Sequence, residues 1–207
     1  LSAPAVPEPP AFYPVSLNLA GRRCVVIGAA DDREAIEKTR DLRESGADVV
    51  WITDPAALRD ADVADAFFVI STPQDAALSA RLRALADAHR FLLCAIDQPA
   101  FGFVAMQAIV KSGPARIAIS TGGVAPRVGG TLRAALQAAL DERFARFLGS
   151  LAQKRRAVRD AHPADGAARR AAMIAATDGF AVDVRVAYPA WFLEELAAAA
   201  PGAGADA

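Results

Sequence analysis

Short apolar runs alternate along the chain with stretches in which apolar residues recur every three or four positions. Runs 24–27, 49–52, 67–70 and 91–96 are β-rich and carry no polar interruption, the pattern of strands covered on both faces. Between them, residues 32–45 place Ala35, Ile36, Thr39 and Leu42 on one helical face before Gly46 stops the helix. Residues 76–89 align Leu78, Leu82, Leu85 and Ala86 in the same way. Strand–helix–strand repetition predicts an α/β lobe, a parallel sheet with helices on its sides. The connection 54–66 is short, with barely room for a crossover helix.

Beyond residue 102 the pattern changes. Residues 103–110 and 116–120 flank the turn Lys111-Ser112-Gly113-Pro114-Ala115 and predict a β-hairpin. After Gly122-Gly123, Leu132, Leu136, Leu140, Phe144, Phe147 and Leu151 predict one long amphipathic helix. Past Gly166 a second helical stretch ends in the aromatic cluster Tyr188, Trp191 and Phe192. The expected organisation is a disordered proline-rich leader over 1–11, a nucleotide-binding lobe over 12–102, a hairpin-and-helix segment over 103–150, a helical lobe over 151–200 and a disordered tail over 201–207.

Composition narrows the function. Over 207 residues the hydrophobic share is 54% and the charged share 23%, enough apolar material for a core. A net charge of −1 argues against nucleic-acid binding through a basic surface. No apolar run reaches the length of a membrane span, and the opening residues lack the pattern of an export signal. Cys24 and Cys94 both fall inside strand-like runs, as reduced buried thiols of a cytoplasmic protein do. Two histidines, His89 and His162, are too few for a histidine-built metal centre, so no resident metal is expected.

In an open parallel sheet, ligands bind beyond the carboxyl ends of the strands. Those ends carry Gly28, Thr53-Asp54, Ser71-Thr72 and Asp97. The loop Gly28-Ala29-Ala30-Asp31-Asp32 keeps the first glycine of a phosphate-binding turn. Its alanines limit how near a pyrophosphate comes to the backbone, and its aspartates repel one; a plain capped helix start reads equally well. Asp54 can accept from an adenosine ribose or form an Asp-Pro turn. Asp97 emerges from an apolar run, where partial desolvation would raise its pKa and suit it to accept a proton; it also reads as the start of a loop. Ser120-Thr121-Gly122-Gly123 offers hydroxyls and backbone N–H groups to an anion, or simply joins strand to helix. Lys154, Arg155, Arg156 and Arg159, with Arg169 and Arg170, form a basic cluster that is a solvated face unless it lines a cleft.

These features, in this order, resemble the siroheme synthase family of bifunctional precorrin-2 dehydrogenase/sirohydrochlorin ferrochelatases. The likeness spans roughly 12–196. Phe12-Tyr13-Pro14-Val15-Ser16-Leu17-Asn18-Leu19 resembles the family's opening, and Cys94-Ala95-Ile96-Asp97 resembles its Asn-Val-Val-Asp. Ser120-Thr121-Gly122-Gly123-Val124-Ala125-Pro126 is similar to its Ser-Ser/Thr-Gly-Gly-x-x-Pro loop. Gly28-Ala29-Ala30 stands for its triple glycine, in a stretch about two residues longer than usual. The resemblance implies a Rossmann-like lobe, a hairpin dimerisation segment and a helical lobe in a cytoplasmic homodimer. It implies NAD held by Gly28, Ala29, Ala30, Asp31, Asp32, Thr53, Asp54, Ser71 and Thr72, Asp97 as the catalytic aspartate, and substrate contacts from Ser120 to Gly123. The reaction it implies is oxidation of precorrin-2 to sirohydrochlorin, in some members followed by insertion of Fe²⁺. The alternative is a chelatase or tetrapyrrole-binding homologue that no longer uses NAD.

Overall fold

Neighbouring residues of a strand point to opposite sides of a sheet, and here both sides are covered. In the computed structural model, which describes residues 12–199, the strands are β1 (Arg23–Ile27), β2 (Asp48–Ile52), β3 (Phe68–Ser71) and β4 (Leu92–Ala95), all parallel in the order β2-β1-β3-β4. Val25, Ile27, Val69 and Leu93 pack with Leu82 and Ala86 of α2 (Ala76–His89). Cys24, Val26, Phe68, Ile70 and Cys94 pack with Ala35 and Leu42 of α1 (Arg33–Glu44) on the other side. Each fully buried aliphatic side chain contributes about 1.5–3 kcal/mol. This two-sided burial explains why the runs read as unbroken apolar segments.

The β2–β3 connection contains two short 3₁₀ turns, Pro55–Ala57 and Asp60–Asp62. Leu58 and Val63 are buried there, and the Arg81 guanidinium of α2 donates to the Leu58 carbonyl at 3.0 Å. The chain passes from β2 to the far side of β1, so a topological switch falls between β1 and β3. The loops after these two strands lie side by side.

Past β4, Phe103 and Val104 donate to the Leu93 carbonyl at 2.8 and 3.0 Å. The hairpin is shorter than expected. Its strands are β5 (Ala108–Ser112) and β6 (Ala115–Ile119), paired antiparallel from Ala108–Ile119 to Ser112–Ala115. Lys111 and Ser112, expected in the turn, belong to β5, because Gly113 (φ +53) with Pro114 suffices to reverse the chain. Residues 103–107 are irregular. α3 (Pro126–Ala139) packs on the hairpin, where Gln137 accepts from Lys111 N (3.1 Å) and donates to its carbonyl (2.9 Å).

The single long helix expected after Gly123 is two, α3 and α4 (Glu142–Ala161). Asp141 causes the break: its carboxylate accepts from Arg143 N at 2.9 Å and caps the new helix. The chain divides into two units between Phe147 and Leu148. In the second, α5 (Gly166–Ala176) starts on the Asp165 cap and α6 (Ala190–Ala199) follows an irregular stretch. The helix expected to run from Gly166 to the aromatic cluster therefore ends early. Phe192 packs against Tyr188 in a tilted arrangement and against Trp191 edge-on, with centroids 5.4 and 5.7 Å apart. No residue of α4, α5 or α6 is fully buried. The leader over 1–11 and the tail over 201–207 lie outside the described residues.

Candidate active site

The β1/β3 switch point sets Gly28, Asp32 and Thr72 against one another. Gly28 cannot be another residue: an added Cβ would overlap Thr72 Oγ1 and lie 2.8 Å from Ala35 Cβ. Its backbone is fixed as well, accepting from Trp51 Nε1 at 2.9 Å and donating to the Ile52 carbonyl at 3.1 Å. Ala29, Ala30 and Asp31 are exposed on the loop above. Asp32 caps α1, its carboxylate accepting from Glu34 N at 2.8 Å and from the Thr72 hydroxyl. The Thr72 bond, joined by the Glu34 and Ala35 N–H groups, holds the Asp32 carboxyl below the usual carboxylate range.

The remaining residues expected at the cofactor are placed unevenly. Thr53 and Asp54 are exposed at the end of β2, and Asp54 accepts from Ala56 N at 3.0 Å, so it caps a 3₁₀ turn. Two of the residues are buried. Ser71 sits at the end of β3 inside the sheet, with a hydroxyl that has no partner among the described residues. Thr72 is also buried, its hydroxyl shared between Asp32 and the Ile27 carbonyl (3.3 Å). It braces the loop from beneath.

A second group gathers around a cleft of about 460 Å³. Asp97 enters it from the end of β4, and Ser120, Thr121, Gly122 and Gly123 enter from the end of β6. These residues, well separated in the chain, thus share one cavity. Asp97 has a left-handed backbone (φ +56), and its Oδ2 accepts from Gln74 Nε2 at 3.1 Å. Its side chain is exposed. The partial desolvation expected for it is therefore corrected, because the turn after Ala95 swings it off the end of the apolar strand. Gly122 and Gly123 have φ of +63 and +79, a conformation that glycine adopts without strain. Ser120 Oγ accepts from Gly122 N at 3.2 Å.

Two residues in this cleft escaped the sequence reading. Glu34 and Lys38 of α1 line it, paired at 3.6 Å, and the Lys38 side chain is only 16% exposed. Their i,i+4 spacing was visible in the sequence as an ordinary helical ion pair; nothing there marked it as facing Asp97. Cys94 lines the cleft too, and burial pushes its thiol up to about 11.

Whether a dinucleotide fits rests on the loop above Gly28. The missing side chain there makes room for Thr72 and Ala35, so Gly28 lets α1 pack closely on β1, while the exposed Ala29–Asp31 loop lies open at the switch point where such folds bind nucleotides. The group fits with Gly28 at its base and the Ala29–Asp31 backbone alongside, although Asp32 already occupies the N–H groups that open α1.

Fold and loop together define an NAD(P)-binding α/β domain, and an NAD(P)-binding family model matches residues 15–108. Siroheme synthase from Xylella fastidiosa (strain M12) is 32% identical over 178 residues, 77% of this chain and 37% of that protein. The siroheme synthase of Nitrosococcus oceani is 27% identical over 163 residues, 70% of this chain and 34% of its own. The chain belongs to the family of the siroheme synthase N-terminal module. It spans about a third of the length of the curated relatives it matches. Among solved structures, "SirC, precorrin-2 dehydrogenase" superposes with a TM-score of 0.62 at 17% identity, over 81% of this chain and 90% of that one; this likeness concerns the fold.

Proposed function

We propose that the chain is an NAD-dependent dehydrogenase that oxidises precorrin-2 to sirohydrochlorin in siroheme biosynthesis, acting as a cytoplasmic homodimer. The observation that carries this reading is the shared cleft: Asp97 and the Ser120–Gly123 loop line one cavity beyond the carboxyl ends of an NAD(P)-binding sheet. Bound NAD⁺ supplies a hydride acceptor. The chain's own part is to hold the macrocycle and remove the accompanying proton. Asp97, accessible and anchored by Gln74, takes the proton. The Ser120 and Thr121 hydroxyls, the Gly123 N–H and the Lys38 ammonium receive carboxylates of the tetrapyrrole.

The dimer is supported by what the fold leaves uncovered. Ile117 of the hairpin, Val124 of the loop after it, and Val128 and Leu132 of α3 are exposed, as are Ile174, Trp191, Leu193 and Leu196 of the helical unit. A two-stranded ribbon is marginal by itself, and helices without a buried residue need an apolar surface to lie on.

Anaerobic incubation of precorrin-2 with and without NAD⁺, followed by visible absorbance, tests the activity. Conversion that needs NAD⁺ and vanishes in Asp97→Asn, with unchanged melting and dimer mass, is the expected result. Asparagine keeps the left-handed turn, so undiminished turnover in that variant removes Asp97 from the reaction. A second reading, a sirohydrochlorin chelatase inserting Fe²⁺ or a tetrapyrrole binder without NAD, draws on Asp32 at the start of α1. Calorimetry showing no NAD⁺ binding alongside tight sirohydrochlorin uptake favours it; bifunctionality requires both activities in one preparation.

A further inference from the structure

The basic cluster of the helical unit plays no part in the reading above, yet it lines a cavity. Arg155 and Arg159 lie one turn apart on α4 and face Arg170 from the start of α5 across a cleft of about 590 Å³. Its apolar wall comes from Val158 and Met173. Residues 151–176 hold six basic side chains against Asp160 and Asp165, in a chain whose net charge is −1. Asp165 is committed to capping α5, accepting from Ala168 N at 2.9 Å.

Among the described residues, the guanidiniums of Arg155, Arg159 and Arg170 are not spent on neighbours. Ion pairs of the described residues involve the sheet lobe, Arg143 and Arg146; none involves Arg155, Arg159 or Arg170. Arg169 is the exception that shapes the site. Its Nη1 donates to the His162 and Pro163 carbonyls at 2.6 and 2.7 Å, which clips the α4–α5 turn and fixes the end of the cleft. Like charges spaced i,i+4 on a helix repel, and Arg155 and Arg159 gain from any anion placed between them. Guanidinium forks match the paired oxygens of carboxylates and phosphates.

We propose that this cleft binds a small organic polyanion, with two or more carboxylate or phosphate groups held by Arg155, Arg159 and Arg170 and its apolar body against Val158 and Met173. The test uses the full chain with two probes, benzenehexacarboxylate and tripolyphosphate, and reads hydrogen exchange of the 155–173 segment during each titration. Arg155→Gln with Arg170→Gln removes two charges inside the cleft. Lys154→Gln with Arg156→Gln removes two charges from side chains that do not line it. Unchanged melting shows that both variants fold. Exchange protection of 155–173 that weakens at least about tenfold in the first variant and stays within about threefold in the second is the expected result. The probe that protects identifies carboxylate or phosphate as the source. Equal weakening in both variants reduces the effect to net charge and overturns the proposal, as does the absence of protection by either probe.

Discussion

On the proposed reading, Asp32 stands at the phosphate end of the dinucleotide site, and replacing it by serine changes that end and almost nothing else. Asp32 is a partly exposed N-cap whose carboxylate accepts from Glu34 N and from Thr72. Serine caps nearly as well, so the helix start moves by at most about 1 kcal/mol. The lost charge matters more. Two like charges about 4 Å apart repel by roughly 1 kcal/mol in water and about 4 kcal/mol near a protein surface. A partly exposed carboxylate belongs toward the lower figure, about 1–2 kcal/mol, or roughly five- to thirtyfold in affinity. NAD⁺ is therefore expected to bind Asp32→Ser at least about fivefold more tightly, measured by calorimetry in low salt, with a smaller gain in high salt. Equal or weaker binding in a folded Asp32→Ser refutes the reasoning. The pH dependence has a definite sign. The folded carboxyl lies below its ordinary range, so its stabilising contribution is present above the unfolded carboxylate value and is lost as pH falls through the lowered one. Wild type and Asp32→Ser thus converge in stability on acidification and differ by a constant amount around neutrality.

Three further outcomes follow from packing and charge. Gly28→Ala forces Cβ into Thr72 and Ala35 and is expected to lower stability by about 1–3 kcal/mol, seen as a fall in the urea midpoint; an unchanged midpoint contradicts the close approach. Lys38→Met should raise KM for the tetrapyrrole about tenfold or more while kcat and NAD⁺ affinity hold, with partial recovery in Lys38→Arg; an unaltered KM excludes a carboxylate contact. Cys24 and Cys94 are buried with thiols raised by that burial, Cys94 to about 11, so neither reacts with iodoacetamide in the native protein at mildly alkaline pH and both do in urea. Rapid native labelling would show that the sheet opens there.

Strands and flanking helices were legible because burial on both faces leaves an unmistakable imprint: Cys24 to Ile27 and Phe68 to Ile70 have no polar position to give. Helix ends were harder. Asp141 is an ordinary acidic residue inside an apolar period, and only its bond to Arg143 N reveals that it restarts the helix. The site was legible in part. Asp97 stands out at a strand end and Ser120–Gly123 at a glycine pair, and the cavity that joins them depends on how the hairpin folds back. Lys38 was invisible, since a residue facing a cleft from a helix has the same spacing as one facing water. The burial of Ser71 and Thr72 is hidden for a related reason. Linear order puts both at a strand end, whereas the pleat and the crowding beneath Gly28 turn their hydroxyls inward.

The backbone angle at Asp97 narrows which substitutions that position can accept at all. At φ +56 most side chains carry about 1–2 kcal/mol of steric penalty, while aspartate, asparagine and glycine escape most of it. Glutamate, the obvious carboxylate replacement, is therefore disfavoured before chemistry is considered. Under the proposed role, a descendant of this chain that abandoned proton transfer would drift first to asparagine or glycine at residue 97 and keep its turn intact, so loss of that role would leave a one-letter mark on an otherwise undisturbed fold.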